Sequence, residues 1–97
     1  MKTYKTDKKV KAKDAVKVVF RTLNKDKAVI ALMPYEKEKN GLCNSYMVFG
    51  EHAPADYKGV MRASKPATMS EYWATLKAMQ SIGYDYIKVI SKAYIND

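Results

Sequence analysis

The sequence predicts an α+β domain in which an antiparallel sheet of four to five strands, in the chain order β-β-β-β-α-β, carries one helix on one face. Two observations carry this reading. Segments that alternate in polarity, or run apolar throughout, surround a single segment whose apolar residues recur at intervals of three and four, and that segment opens with a capping signal. The size agrees, because 97 residues suffice for one hydrophobic core and not comfortably for two. A composition that is 47% hydrophobic and 11% aromatic belongs to a folded chain, not a disordered one.

Residues 15–23 alternate, with Val16, Val18 and Phe20 on one side and Lys17, Val19 and Arg21 on the other, as a half-buried strand does. Asn24-Lys25-Asp26-Lys27 supplies a short hairpin connection. Residues 28–33 (AVIALM) are apolar on both faces, as a central strand requires, until Pro34 stops them. The charged connection 35–41 ends in the turn signal Asn40-Gly41, after which residues 42–49 read as a third strand and complete a meander. Residues 51–58, with Pro54, read as a loop, and 59–64 (GVMRAS) as a short fourth strand.

The clearest local signal is Thr68-Met69-Ser70-Glu71, a capping box that starts a helix at about Met69. Met69, Tyr72, Trp73, Leu76, Met79 and Ile82 form its apolar stripe, the face expected to pack on the sheet, and Gly83 is placed to end it with positive φ. Residues 84–91 alternate enough for a fifth strand. One helix covers one face only. The second apolar face of 28–33 therefore predicts a homodimer, since a contiguous apolar patch usually marks an interface.

The net charge of +8 is uneven. Residues 1–27 hold ten Lys or Arg against three Asp, and residues 28–97 hold eight against seven acidic groups, so nearly all the excess lies at the N-terminus. Residues 1–14 are expected to be a flexible basic arm and 15–97 the single folded domain. Lys5, Lys8, Lys9, Lys11 and Lys13 are candidate phosphate contacts for nonspecific nucleic-acid binding. With sixteen Lys against two Arg, specific nucleic-acid recognition is disfavoured, because Arg supplies the bidentate contacts. One cysteine excludes an intramolecular disulfide, no apolar run reaches the length of a membrane span, and the first thirty residues lack the apolar stretch of a signal peptide. A cytoplasmic protein with no membrane partner is the expectation.

The segment 43–57, CNSYMVFGEHAPADY, concentrates the residues with chemistry: the only cysteine, the only histidine, two tyrosines and Asp56 four places beyond the histidine. Cys43, Ser45, Tyr46, His52, Asp56 and Tyr57 are the candidate binding residues. A cysteine nucleophile needs a base within hydrogen-bonding reach, but a strand separates Cys43 from His52, and Cys43 falls on one side of that strand with Ser45, Met47 and Phe49, as a buried thiol would. A zinc site would have to recruit Glu51 and Asp56 to complete four ligands, so no metal and no cofactor is expected. The favoured reading of His52 is a histidine pinned in an ordered loop, with Asp56 as its candidate partner and Tyr46 and Tyr57 closing the same pocket. No phosphate loop, nucleophile elbow or paired-carboxylate motif is present, which disfavours an enzyme.

The blocks VIALMP, LCNSYMVFGEHAPADY, KPAT followed two residues on by EYWATL, and SIGYD resemble a family of short proteins of uncharacterised function carried by bacterial phages, plasmids and conjugative elements. The likeness covers residues 19–89 and rests on Cys43, Ser45, Tyr46, Met47, Gly50, His52, Ala55, Asp56, Tyr57, Pro66, Ala67, Thr68, Glu71 and Tyr72. Glu51 stands where Gln is common in the family, and Met69 where Pro often opens the helix. The resemblance implies a setting and no activity. The expected function is that of a small noncatalytic protein acting on a host or element protein, such as a defence protein. A nucleic-acid-binding accessory protein using the arm ranks behind it, and an enzyme or ligand-binding module centred on His52 ranks last.

Overall fold

The computed structural model describes residues 2–5, 15–49 and 51–93. Among these the chain order is β1 (Lys2–Lys5), β2 (Val16–Leu23), β3 (Val29–Lys37), a 3-10 turn (Lys39–Gly41), β4 (Cys43–Met47), β5 (Glu51–Ala55), α1 (Tyr57–Arg62), β6 (Ser64–Pro66), α2 (Met69–Ser81) and β7 (Tyr86–Val89). Strands β2 to β5 form an antiparallel meander. Strand β7 joins β2 in parallel and β1 closes antiparallel on β7, so the order across the sheet is β1-β7-β2-β3-β4-β5. Strand β6 pairs with β2 from Arg21 to Leu23, beyond the reach of β7. The fold is thus α+β, mostly antiparallel, with more strands than the pattern predicts.

Helix α2 is as expected. Thr68 Oγ1 accepts from the Glu71 amide, and Glu71 Oε1 accepts from the Thr68 amide at 2.8 Å. The buried stripe is Tyr72, Thr75, Leu76 and Met79, which pack on Val18, Phe20, Ala31, Met33, Tyr46 and Ile87. It is narrower than predicted, since Met69, Trp73 and Ile82 remain 42%, 43% and 53% exposed. Gly83 ends the helix at φ +117°, and Asn40 and Gly41 form their turn with φ of 62° and 74°.

Five expectations are corrected. Residues 59–64 are not a strand: Tyr57–Arg62 is α1, and β6 follows. Tyr57, Val60 and Met61 have the i, i+3, i+4 spacing of a helical face, and they pack on Val19, Ile30, Leu32 and Cys43. That packing is the second correction. The face left open for a dimer is filled by the chain's own α1, together with Ile90 and Ala93, which removes the apolar patch that motivated self-association. Third, residues 51–55 are the edge strand β5 and not a loop; Pro54 is tolerated because an edge strand has one unpaired side. Fourth, Pro34 does not stop β3, which passes through a bulge between Met33 and Lys37 where the ladder is interrupted. Fifth, Lys2–Lys5 is a strand and not part of an arm, because Tyr4 enters the core rim beside Tyr72 and Trp73. Lys8, Lys9, Lys11 and Lys13 lie outside the described residues.

Arg21, read from the sequence as an outward side chain, is only 8% exposed beneath α1. Its Nε donates to Ser64 Oγ at 2.9 Å, and its Nη2 donates to the carbonyls of Ser64 (2.7 Å) and Met61 (3.2 Å). The guanidinium therefore meets the carbonyl end of α1, where a cation is favoured.

Candidate functional site

The pleat of β4 and β5 divides the segment 43–57 between two faces of the sheet. Cys43 projects into the α1 side, 3% exposed among Leu32, Val19 and Ile30. Burial pushes its thiol above the ordinary value, and the charges of Asp56 and Glu38 push the same way, so it is held as a neutral, unreactive thiol. Ser45 is spent within the hairpin, donating to the Ala53 carbonyl at 2.7 Å. Tyr57 packs over the same apolar cluster and its hydroxyl accepts from the Ala93 amide at 2.7 Å. Asp56 precedes α1, with its carboxylate against Gly59. Cys43, Asp56 and Tyr57 thus support α1 and the C-terminal segment, while Ser45 ties β4 to β5.

Tyr46 and His52 face the other way. They are direct cross-strand partners, with ring centroids 5.0 Å apart, and Tyr46 belongs to the core beneath α2. His52 does not join Asp56, which lies near Cys43 on the opposite face. Its partner is Tyr84, whose hydroxyl lies 2.9 Å from His52 Nε2. Gly83 makes this contact: the left-handed residue after α2 turns the chain back so that Tyr84 reaches the sheet.

The hydrogen bonds continue inward from Tyr84. The Asn44 amide, beside the phenol, donates to Glu36 Oε1 at 3.1 Å, while Asn44 Oδ1 accepts from the Ser45 amide at 2.9 Å. Burial and the charge of Glu36 raise the Tyr84 pKa, so the phenol stays protonated while hydrogen-bonded to His52 Nε2. Sequence reasoning missed Glu36, Asn44 and Tyr84. The signal for Tyr84 was its position directly after a helix-ending glycine; Glu36 reaches the cluster only because of the β3 bulge, which no local pattern announces.

The cluster is a hydrogen-bonded polar surface. Cys43 and His52 lie on opposite faces of the sheet, so His52 is not placed to act as a base toward the thiol. Among the described residues no group of three His, Cys, Asp or Glu side chains converges, and no helix is long and apolar enough to cross a membrane. Around the cluster, the two segments that meet at the His52–Tyr84 bond carry exposed apolar side chains: Val48 (49%) and Phe49 (81%) in the β4–β5 turn, and Ile82 at the end of α2. No known protein family, no curated protein and no solved structure matches the chain.

Proposed function

We propose that this is a small noncatalytic binding protein of a bacterial phage, plasmid or conjugative element, acting in the cytoplasm on a host protein such as a defence component. The observation that carries the binding reading is the juxtaposition of an immobilised polar group with exposed apolar side chains. Tyr84, Asn44 and Glu36 fix the orientation of His52, while Phe49 stands 81% exposed at the adjoining turn. Interfaces take their energy from a few aromatic anchors surrounded by well-placed polar groups, and a fixed polar group loses little entropy on binding.

The test is capture of a partner from host lysate by the wild-type chain and by Phe49→Ala and His52→Ala, with thermal melting in parallel. Phe49→Ala should reduce capture by more than five-fold, the loss of an anchor worth over 1 kcal/mol, while leaving the melting temperature unchanged. Capture by both variants equal to that by wild type, or rapid His52-dependent alkylation of Cys43 at neutral pH, would overturn the reading.

A further inference from the structure

Among the described residues, α1 together with Ile90 and Ala93 packs on the second face of the sheet over Val19, Ile30, Leu32 and Cys43, on β2, β3 and β4. Along β1, β7 and the start of β2, the residues packed beneath α2 are Tyr4, Val16, Val18, Ile87 and Val89. Their alternates Lys17, which is exposed, and Lys88, which is half-buried, therefore project from the opposite face, where they are direct register partners on parallel strands. Like charges placed directly opposite each other are destabilising in a sheet. The bulge in β3 brings two more residues to this face: Lys37, which stands opposite the inward-facing Cys43, and Tyr35, 48% exposed, with the Lys17 amine 5.2 Å from its ring centre. Among the described residues, the one carboxylate lining the recess beside Lys17 and Tyr35 is that of Glu36, which accepts from Asn44.

We propose that this strip, Lys88-Lys17-Tyr35-Lys37, is a docking surface for single-stranded nucleic acid. The commitment rests on charge complementarity. Three lysines on the adjacent strands β7, β2 and β3, two of them direct register partners held together at an energetic cost, match the repeating charge of a phosphodiester backbone. The backbones that carry Lys17 and Lys88 are about 5 Å apart, the separation of neighbouring strands. Tyr35 adds a π-face, which a base can use without regard to sequence. The strip lies on the face opposite His52 and Tyr84, so this activity is independent of protein binding through that cluster.

The experiment is fluorescence anisotropy of the full-length chain with a labelled single-stranded oligothymidylate and with a labelled duplex, at salt from 50 to 200 mM. Three variants are compared: Lys17→Gln/Lys88→Gln, Tyr35→Leu, and a chain with Lys8, Lys9, Lys11 and Lys13 all replaced by Gln. Thermal melting confirms that each folds. Two lost phosphate contacts lower the salt slope by about 1.4, so the fall in affinity across this four-fold salt range should shrink by about seven-fold in the double variant. Tyr35→Leu should weaken single-strand binding at every salt concentration with the slope unchanged. Wild-type binding by the double variant, loss confined to the quadruple variant, or a duplex bound as tightly as the single strand would each overturn the proposal.

Discussion

Helices α2 and α1 cover opposite faces of one sheet, but the residues that make them helical sit in different places. In α2 they are in the helix itself: Thr68 and Glu71 close a capping box, and Tyr72, Leu76 and Met79 form a buried stripe over three turns. In α1 they are mostly elsewhere. Its six residues include Gly59 and Val60, and its cap residue Asp56 makes no side-chain capping bond. A helix this short is not stable alone. It persists because Arg21 on β2 takes up carbonyls at its end and because Tyr57, Val60 and Met61 bury an apolar patch of the sheet. One helix is written locally and the other is imposed by its surroundings, and substitution outside each helix separates the two cases.

The largest effect is expected at Arg21. Arg21→Met leaves the buried oxygens of Ser64 and Met61 without their donor and should cost about 3 kcal/mol, since unsatisfied buried acceptors cost roughly 1–3 kcal/mol each. Urea unfolding measures the loss, and native-state hydrogen exchange locates it: amides of α1 should open before those of α2. Uniform acceleration across both helices would mean that α1 is no more dependent on its surroundings than α2.

Cys43 comes next. Cys43→Ser places a hydroxyl among Leu32, Val19 and Ile30 and should cost about 2 kcal/mol, with Cys43→Ala cheaper. The native thiol should react with iodoacetamide only as fast as the protein opens, because burial keeps it protonated. A fast reaction in the folded state would place Cys43 at the surface and undo the assignment of α1 as its cover.

The same contrast explains how much was legible in advance. The meander from β2 to β4 and the whole of α2 were readable, because alternation, the Asn40-Gly41 turn and the capping box are all local. The α1 segment was not, since GVMR has strand-like composition and its spacing of Tyr57, Val60 and Met61 spans barely one turn. The strands β1 and β5 were missed for a related reason. KTYK is short and flanked by charge, EHAPA is poor in strand-forming residues, and each becomes a strand by pairing with a neighbour. At the candidate site the segment was found but its partners were not. His52 was matched with Asp56 by sequence proximity, whereas the pleat sends them to opposite faces and Gly83 delivers Tyr84 from thirty-two residues away.

On the locally written side, Thr68→Ala should cost about 1 kcal/mol, the usual worth of such a cap. A circular-dichroism melt reads it directly. A cost near zero would show that packing of Leu76 and Met79 suffices for α2, and the two helices would then differ less than their sequences imply.

The smallest effect concerns the other half of the capping box. The Thr68 amide holds the Glu71 carboxyl below its ordinary value of 4.5, with further help from the Thr68 hydroxyl and the charge of Lys65. A carboxyl whose value is lowered by folding binds fewer protons in the folded chain than in the unfolded chain between the two values. Its stabilising contribution is therefore complete above 4.5 and is lost as the pH falls from there through the lowered folded value. Glu71→Gln keeps an acceptor for the Thr68 amide but carries no charge and cannot titrate. Wild type should thus be the more stable at pH 7, and the two melting curves should converge as the pH is taken down through the acid range. Since Glu71 lies at the surface, added salt should narrow the gap at pH 7 as well. Parallel curves at all pH values would mean that the carboxylate contributes only as a neutral acceptor, leaving Thr68 alone to start the helix.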